Sequence, residues 1–431
     1  MVKIEHPLSK NMELVSTHDL NGQPGFQMAL QVVDGHYYLY VTTYYHQGWQ
    51  ILDVTDPTHM ICKHLDDPRG KSGTVHPKIQ IAGGIMITAS GQRVRFLPME
   101  GVDYDDYDSG IEIWDVKTDP MNPTLLGYWD NGGGEGIDGN NTHRNYYDGG
   151  RYVYTTSTCP GFLNNILRII DIIDPAHPKE VGRWYLKEQW LDGMDHVEWD
   201  VNKIQPGSLS PYPGYKHYHL HMPQVKDGYA YLAYCGYGLV ILDVHDVTRP
   251  KYVGSLKIDP PFSDFISCHT ALPMSGYNKD YLILTQEMGG DGRHAQFAGI
   301  VDISDKEHPT LVSMFPPYSV PEDAPFKNYV EKGGRPGLHN FHQPHYEDRP
   351  DRQYLTCFNG GIRIYDTSDI FNLREIAYYI PADPKQDAWP IPKMMNDGQI
   401  IARCEDVLVD DRGYIYMTDS NGGLSVFRCL V

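Results

Sequence analysis

The chain alternates apolar strands with Asp-rich turns in a phrase that it repeats with variations. The clearest copy lies at residues 238–256 and reads GLVILDVHDVTRPKYVGSL: an apolar strand, a turn with two aspartates and a proline, then a second strand. Five further copies begin at Gly48, Gly110, Asn165, Phe297 and Gly361, and a truncated copy begins at Gly422. Successive copies begin 55 to 73 residues apart, a spacing that suits four-stranded propeller blades with long loops.

Both faces of the first strand in this phrase are apolar, as Val240 and Ile241 illustrate. The pattern predicts a strand packed between neighbouring blades rather than one on a solvated sheet. We interpret Asp243 and Asp246 as turn-forming residues, because a short carboxylate can accept backbone N–H groups. We favour this folding role over a carboxylate metal site in every repeat, because the pair recurs in the same place. The other pairs are Asp53/Asp56, Asp171/Asp174, Asp302/Asp305 and Asp366/Asp369.

The sequence therefore predicts an all-β fold, a single seven-bladed β-propeller domain over residues 1–431. The segment MELVSTHD at 12–19 matches the second strand of the repeat, which the last copy lacks. We expect residues 11–20 to supply the outer strand of the last blade and so to close the ring. The predicted blades lie near 26–65, 74–129, 141–186, 217–257, 267–315, 338–380, and 402–430 plus 11–20.

Composition narrows the class of protein. No apolar run approaches the roughly 20 residues that span a bilayer, and the N-terminus lacks the apolar core of a secretory signal. Seven cysteines without a CxxC pair favour free thiols and a cytoplasmic protein. A formal net charge of −20 argues against nucleic acid or an anionic membrane as partner. We expect a small-molecule substrate, and the sequence leaves the oligomeric state open.

Five histidines stand where predicted innermost strands begin, on the face that carries the long loops. They are His76, His143, His221, His269 and His342. His76 and His143 each precede the second strand of their blade by nine residues, and Glu405 holds the same place in the last blade. The first blade offers Met28 or Ala29 there and breaks the pattern. The sequence thus predicts five imidazoles and one carboxylate at the mouth of one channel.

A shared metal ion is the hypothesis we favour for these groups. Charged imidazoles around an axis repel one another, and neutral ones each need a partner. Neutral imidazole is also the commonest protein ligand for Zn, Cu, Fe and Ni. We predict a divalent transition metal (Fe, Cu, Zn or Mn) that three or four of the groups bind directly. The predicted ligands are His76, His143, His221, His269 and His342, and a purely structural histidine collar is the alternative.

The register of two strands is open. His217 and His219 share a strand face with His221, and His339 and His345 flank His342 in the same way. Catalytic roles are predicted for Glu405, His219 and Arg144. Three further carboxylates of the long-loop face could support the site or contact substrate, although a solvated surface role is favoured for each: Glu135, Glu198 and Glu287.

The phrases LVILDV, QILDVTDP and RIIDIIDP resemble the LVIVD repeats of a broad group of propeller proteins. The resemblance covers nearly the whole chain and implies a seven-bladed propeller. The histidine arrangement is more loosely similar to two enzyme families. Carotenoid cleavage oxygenases hold iron on the axis of such a propeller with four histidines from different blades, and selenium-binding-protein-type methanethiol oxidases also combine a histidine-bearing propeller with a metal. The five-histidine-plus-Glu set departs from the four-histidine pattern.

Two classes of function follow. The first is a metal-dependent enzyme acting on a small, aromatic or partly apolar organic molecule. Iron or copper would favour oxygen chemistry, and zinc or manganese would favour hydrolase, lyase or isomerase chemistry with Glu405 or a spare histidine as base. The second is a non-catalytic scaffold that binds a partner. An aromatic and methionine-rich set in the covering loops favours the enzyme: Trp190, Trp199, Phe262, Phe265, Phe326, Tyr329, Trp389, Met394 and Met395.

Overall fold

The structure is a computed structural model that describes residues 2–43, 48–93, 100–134, 136, 139–191, 218–259, 262, 266–287, 297–343, 349–385 and 400–431. Two strands precede the first blade: β1 (Leu8–Lys10) and β2 (Met12–His18). Blades 1 and 2 contain β3 (Met28–Val33), β4 (His36–Thr42), β5 (Trp49–Asp53), β6 (Ile61–Leu65), β7 (Thr74–Val75), β8 (Ile79–Ala82), β9 (Ile85–Gln92), β10 (Gly110–Asp115) and β11 (Thr124–Asp130). Blades 3 and 4 contain β12 (Thr142–Tyr146), β13 (Tyr152–Ser157), β14 (Ile166–Asp171), β15 (Lys179–Trp184), β16 (His219–Lys226), β17 (Tyr229–Cys235), β18 (Gly238–Asp243) and β19 (Lys251–Lys257).

The remaining three blades follow the same order. Blade 5 contains β20 (Ile266–Pro273), β21 (Tyr281–Glu287), β22 (Ala298–Asp302) and β23 (Thr310–Met314). Blade 6 contains β24 (Arg352–Thr356), β25 (Ile362–Asp366) and β26 (Arg374–Ile380), and blade 7 contains β27 (Cys404–Val409), β28 (Ile415–Asp419) and β29 (Gly423–Cys429). One helical turn, α1 (Tyr329–Lys332), precedes blade 6. No helix among the described residues has the length and apolar character needed to cross a membrane.

The described strands form seven antiparallel sheets, which confirms the predicted seven-bladed propeller. The N-terminus closes the ring, because β2 pairs with β29 from Met12 opposite Cys429 to His18 opposite Leu424. The sequence did not predict β1, which adds an outer strand to blade 6 by pairing with β26. The innermost segment of blade 6, residues 338–343, pairs with β24 through backbone bonds such as His342 N to the Tyr354 carbonyl (2.9 Å).

The core lies between blades rather than inside one sheet. On β18, Leu239 and Ile241 are fully buried in a cluster with blade 5, whereas Val240 and Leu242 are buried in a cluster with blade 3. A further cluster joins Leu408 of blade 7 to blade 1 across the closure. The two apolar faces of the repeat strand are therefore each covered by a neighbouring blade, as the sequence pattern predicted.

The repeat aspartates form turns, as predicted. Asp243 Oδ1 accepts the backbone N–H of His245 (3.0 Å), and Asp246 Oδ1 accepts that of Thr248 (3.1 Å). The same bond, to the N–H two residues ahead, recurs at the pairs of the other copies: Asp53/Asp56, Asp171/Asp174, Asp302/Asp305 and Asp366/Asp369. Side-chain acceptors of this kind stabilise tight turns.

A glycine in the outer strand lets one blade approach the aspartate turn of the next. A Cβ on Gly182 would lie 1.9 Å from the Val247 carbonyl oxygen, and one on Gly127 or Gly254 would lie 1.9 or 2.2 Å from a carbonyl of the following blade. Those outer strands also shift register by a bulge at this level. The glycine of LLGYW, EVGRW and YVGSL is therefore a packing requirement between blades.

Candidate metal centre

One position of the innermost strand recurs in all seven blades and carries the candidate chemistry. In blade 3, for example, Tyr154 of the second strand pairs with Tyr146, and His143 lies three residues before that partner. The same pairing locates the equivalent residue in each blade. In blade order these residues are Phe26, Pro77, His143, His221, His269, His339 and Glu405.

Several of these residues occupy irregular points of the strand. The pairing register shifts between Leu220 and Met222, so that His221 is an extra residue in its strand, and Glu405 is the extra residue between Cys404 and Asp406. Similar irregularities occur around His143 and His269. A bulge releases one residue from the alternation of the sheet and redirects its side chain.

The four histidines at this position form a continuous crescent across blades 3 to 6. Nε2 of His143 lies 3.1 Å from Nε2 of His221. The ring centroids of His221 and His269 are 4.1 Å apart, and those of His269 and His339 are 5.3 Å apart. All four side chains are buried or nearly so in the described structure. Four imidazoles from separate blades thus meet on the inner side of the ring.

A carboxylate completes a group of potential ligands. Ligand atoms of His221, His269 and Glu287 all lie within 4.8 Å of one another, and all three residues are buried. His269 Nε2 has no hydrogen-bond partner among the described residues, although Glu287 Oε2 lies only 3.1 Å away. The nitrogen and the oxygen are therefore close without being aligned for a hydrogen bond.

The other nitrogen of each ring is held by the protein. His221 Nδ1 lies 3.0 Å from the carbonyl oxygen of His269, and His339 Nδ1 contacts the carbonyl oxygen of Glu405. Because a carbonyl only accepts, each Nδ1 carries the proton and each Nε2 of the neutral ring keeps its lone pair. His269 Nδ1 lies 2.7 Å from the hydroxyl of Thr270. Contacts of this kind orient imidazoles that bind metals.

Electrostatics keep the imidazoles neutral. Burial is the main cause that holds the pKa of His143, His221, His269 and His339 well below its usual range, and neighbouring cationic groups lower it further. A neutral imidazole is the form that binds a metal. Burial also raises the pKa of the Glu405 carboxyl, against the opposing effect of Arg403.

Arginines flank both carboxylates. Arg335 donates to Glu287 Oε1, and Arg403 Nε lies 2.8 Å from Glu405 Oε1. Both guanidinium groups lie over the ring of Phe358, at 4.1 and 5.5 Å, on which His339 also stacks with centroids 4.5 Å apart. Each carboxylate is thus fixed through one oxygen, with its second oxygen on the imidazole side.

In three blades the residue that follows this position is charged and buried: Lys78, Arg144 and Asp406. Arg144 is 2 % exposed and donates to the side-chain oxygen of Asn340 in blade 6. Burial lowers the pKa of Arg144 to about 10 and raises that of Asp406 to about 6. Asp406 accepts the backbone N–H of Met28 (2.8 Å), and Lys78 lies over the ring of Phe26 (4.0 Å). Arg144, for which a catalytic role was predicted, therefore links blade 3 to blade 6.

His76 does not join the crescent, in contrast to the prediction. It lies in a separate buried group with Asp67 and Glu112, and the position equivalent to His143 is occupied by Pro77. The reason is the length of the hairpin. Six residues separate the paired residues Gln80 and Ile87 in blade 2, whereas seven separate Tyr146 and Tyr154 in blade 3. Because the two hairpins differ in length by one residue, the predicted strand position of His76 was wrong by one.

His342 is also displaced from the predicted position, and His339 takes its place. His342 lies three residues further along the strand, where its ring packs on Tyr354 with centroids 5.8 Å apart. Its Nδ1 lies 3.3 Å from the backbone N–H of Val409, which donates to it. The length of the hairpin between residue 343 and β24 is not evident from the sequence, so the strand position of His342 could not be predicted from it.

The other sequence predictions divide between described and undescribed residues. His219 is buried on the same strand as His221, with ring centroids 6.3 Å apart, so that His221 rather than His219 belongs to the crescent. Glu287, for which a surface role was favoured, is instead buried at 6 % exposure and belongs to the ligand group. Several predicted residues lie outside the described parts of the chain: Glu135, Glu198, Trp199, His217, Phe265, His345, Trp389, Met394 and Met395.

The fold and this centre define a seven-bladed β-propeller with a group of potential metal ligands on its innermost strands. More particularly, the propeller carries LVIVD repeats: the family model described as "LVIVD repeat" matches residues 151–185, 224–257 and 299–315. No curated protein matches the chain.

Solved structures share the fold at low sequence identity. The periplasmic gluconolactonase of Pseudomonas aeruginosa is 10% identical, with a TM-score of 0.53 over 92% of this chain and 100% of that chain. YCF48 from Cyanidioschyzon merolae is 8% identical, with a TM-score of 0.51 over 97% and 98%. A β-propeller domain from Myceliophteria thermophila is 8% identical, with a TM-score of 0.52 over 96% and 99%. At these identities the likeness extends to the fold alone.

Proposed function

We propose that this protein is a metal-dependent enzyme acting on a small organic molecule, with its centre at the crescent of four histidines and Glu287. One observation carries the proposal. Ligand atoms of His221, His269 and Glu287 converge in a buried space, and the hydrogen bond of His221 Nδ1 to a carbonyl leaves the lone pair of its Nε2 free to bind a metal.

The spacing of these atoms suits a shared ion. Two ligand atoms that each lie about 2.0–2.1 Å from a tetrahedral zinc ion would be about 3.4 Å apart. The pairs His143–His221 and His269–Glu287 are each 3.1 Å apart, close to that value. Without a cation, Nε2 of His269 lies beside the Glu287 carboxylate without a hydrogen bond, an arrangement that costs free energy in a buried site. A divalent cation removes that cost.

Each residue then has a distinct task. His221 and His269 offer Nε2 as ligands, and Glu287 offers the oxygen that Arg335 leaves available. His143 and His339 extend the set at its two ends. The backbone carbonyls and the Thr270 hydroxyl orient the rings, and Arg335 fixes the carboxylate.

The rest of the ring suits a partly apolar substrate. Phe26 and Pro77 occupy the equivalent position in blades 1 and 2, so that the position is apolar in these two blades. Phe26 and Phe358 add aromatic surface beside His339, with Phe26 at a centroid distance of 6.1 Å. We infer a small, partly aromatic substrate that approaches from the long-loop face, in keeping with a pocket that is mostly apolar with few polar groups.

Two reaction classes fit the centre. Iron or copper bound by neutral imidazoles supplies a site for oxygen chemistry, which makes an oxidase or oxygenase the first candidate. The second candidate is zinc- or manganese-assisted hydrolase, lyase or isomerase chemistry, because Glu405 places a second carboxylate beside the crescent that can accept a proton. The gluconolactonase fold is shared at too low an identity to choose between them.

The test is metal content together with an absorption spectrum, on protein purified without chelators. We expect a bound metal that Glu287→Gln and His269→Ala each remove from the centre. His342→Gln serves as the matched control, because His342 is a buried histidine of the same blade as His339 but lies outside the crescent. If folded wild-type protein contains no metal that these substitutions remove, the enzyme proposal is refuted and a non-catalytic scaffold is the remaining function. The identity of the metal then separates oxygen chemistry from Lewis-acid chemistry.

A further inference from the structure

A second buried group of potential ligands lies apart from the crescent. Asp67 belongs to the connection between blades 1 and 2, His76 follows β7, and Glu112 lies in the middle of β10. Their ligand atoms lie within 4.8 Å of one another, and the three residues are 5 %, 0 % and 0 % exposed. The group joins the start of blade 2 to the end of blade 1.

Each carboxylate uses one oxygen for neutral donors and leaves the other unpaired. Asp67 Oδ1 accepts the Arg69 backbone N–H (2.8 Å), and Glu112 Oε2 accepts the Thr88 hydroxyl (3.1 Å) and the Trp114 indole N–H (3.3 Å). Asp67 Oδ2, Glu112 Oε1 and both ring nitrogens of His76 have no hydrogen-bond partner among the described residues. Three buried residues thus place polar atoms without hydrogen-bond partners within 4.8 Å of one another, an arrangement that is costly unless a ligand occupies it.

Two other blades show how a charge at this strand position can be neutralised. Arg168 of blade 3 and Arg363 of blade 6 hold the place of Glu112 in the repeat, and each pairs with a glutamate of the adjacent outer strand. In blade 2 the residue is an acid, and the outer-strand position that carries Glu180 in blade 3 is Leu125. Among the described residues, neither Glu112 nor Asp67 forms an ion pair with a lysine or arginine.

A protonated His76 does not account for the geometry. Its Nε2 lies 3.5 Å from Glu112 Oε1 and 3.6 Å from Asp67 Oδ2, longer than the roughly 2.7–2.9 Å of a charge-assisted hydrogen bond. With both carboxylates ionised, one imidazolium would also balance only one of the two negative charges. A divalent cation with a neutral His76 balances both carboxylates.

We propose that Asp67 Oδ2, His76 Nε2 and Glu112 Oε1 bind a divalent transition-metal ion at a site independent of the crescent. One imidazole and two carboxylates are a ligand set for zinc, manganese or iron(II). The three ligand residues are buried, and Trp49 packs on His76 with ring centroids 4.6 Å apart, so we assign the ion a structural role that clamps the blade 1–blade 2 connection. His76 would then bind a different ion from the shared one for which it was predicted as a ligand.

The test uses Co²⁺ added to chelator-stripped full-length protein, with tryptophan fluorescence and bound-metal analysis as readouts. Because Trp49 adjoins His76, we expect Co²⁺ to quench fluorescence, and Glu112→Gln and Asp67→Asn each to abolish that quench and remove one equivalent of bound metal. Asp108→Asn is the matched control: Asp108 is a buried neighbour that pairs with Arg69 and Lys71 and contributes no atom to the group, so its variant keeps both signals.

If folded Glu112→Gln protein binds as much Co²⁺ as wild type and shows the same quench of tryptophan fluorescence, the proposed second site is refuted. Loss of both signals in Asp108→Asn as well would overturn it too, because the effect would then be general loosening of the connection. The two proposals fail separately: metal lost in Glu287→Gln but not in Glu112→Gln supports the crescent alone, and the reverse result supports this site alone.

Discussion

The cross-strand pair Thr270 and Thr285 offers a test of how His269 is oriented. Thr270 lies opposite Thr285 on β20 and β21, and both are buried. The Thr270 hydroxyl contacts His269 Nδ1 at 2.7 Å, whereas the Thr285 hydroxyl has no hydrogen-bond partner among the described residues. Valine replaces threonine with nearly the same shape, so Thr270→Val and Thr285→Val differ mainly in the contact that they remove.

The expected effect follows from the cost of an unpaired buried group. Loss of its partner leaves Nδ1 of His269 unsatisfied, at a cost of about 1–3 kcal/mol. This agrees with the roughly 10–100-fold loss of metal affinity that follows removal of a group orienting a ligand. We therefore expect Thr270→Val to weaken metal binding about 10–100-fold and Thr285→Val to leave it within about 2-fold.

The assay is competition for metal between the stripped protein and a chelator of known affinity, at fixed pH. Circular dichroism of each apo variant establishes that it is folded before titration. Equal affinities for wild type and Thr270→Val would refute the argument that this hydroxyl fixes the His269 ring. Equal weakening by both variants would refute it as well, because the cause would then be strand packing.

Three further predictions concern register, packing and acid stability. His339→Gln is expected to weaken metal binding at the crescent at least 10-fold by chelator competition, while His342→Gln leaves it unchanged; the reverse order would contradict the observed strand register. Gly182→Ala would place a Cβ 1.9 Å from the Val247 carbonyl and is expected to lower the free energy of unfolding by roughly 3 kcal/mol, at the upper end for overpacking, in urea unfolding; Ser313→Ala at the equivalent position of blade 5 is the control, and an equal effect there would contradict the packing argument. The Arg151 bond lowers the pKa of Asp171 below its usual value, so the stability from this carboxylate is full above about pH 4 and is lost as the pH falls through the lowered pKa; Asp171→Asn should lower Tm at pH 7 by an amount that shrinks as the pH falls below about 4, and a Tm difference that stays constant over that range would exclude this linkage.

The fold was open to prediction because its signal is local and repeated. Apolar residues on both faces of a strand such as β18, followed by an aspartate turn, recur at a spacing that only stacked blades explain, and the strand match at residues 12–19 indicated the closure. The extra strand β1 carried no such signal, because Leu8 to Lys10 is too short to show a periodicity. Its pairing with β26 depends on where the closed ring delivers the N-terminus.

The crescent was predicted in part. His143, His221 and His269 belong to it, but His339 replaces His342, and Glu287 was weighed as a surface residue. Glu287 ends a second strand rather than beginning an innermost one, so no count along the innermost strands could identify it. The unequal hairpins of blades 2 and 3, visible as GG against DGGR, were the signal that could have corrected His76.

The amino-acid sequence by itself determined the repeat, the burial of both strand faces and the supply of imidazoles to one end of the innermost strands. These properties depend on neighbours within a few residues, where the period of a strand and the chemistry of a turn act directly. Only the tertiary structure decided which imidazoles meet. A bulge or a hairpin one residue longer redirects a side chain, and whether Nε2 atoms lie 3.1 Å apart or in separate interfaces depends on how seven sheets pack around a common axis.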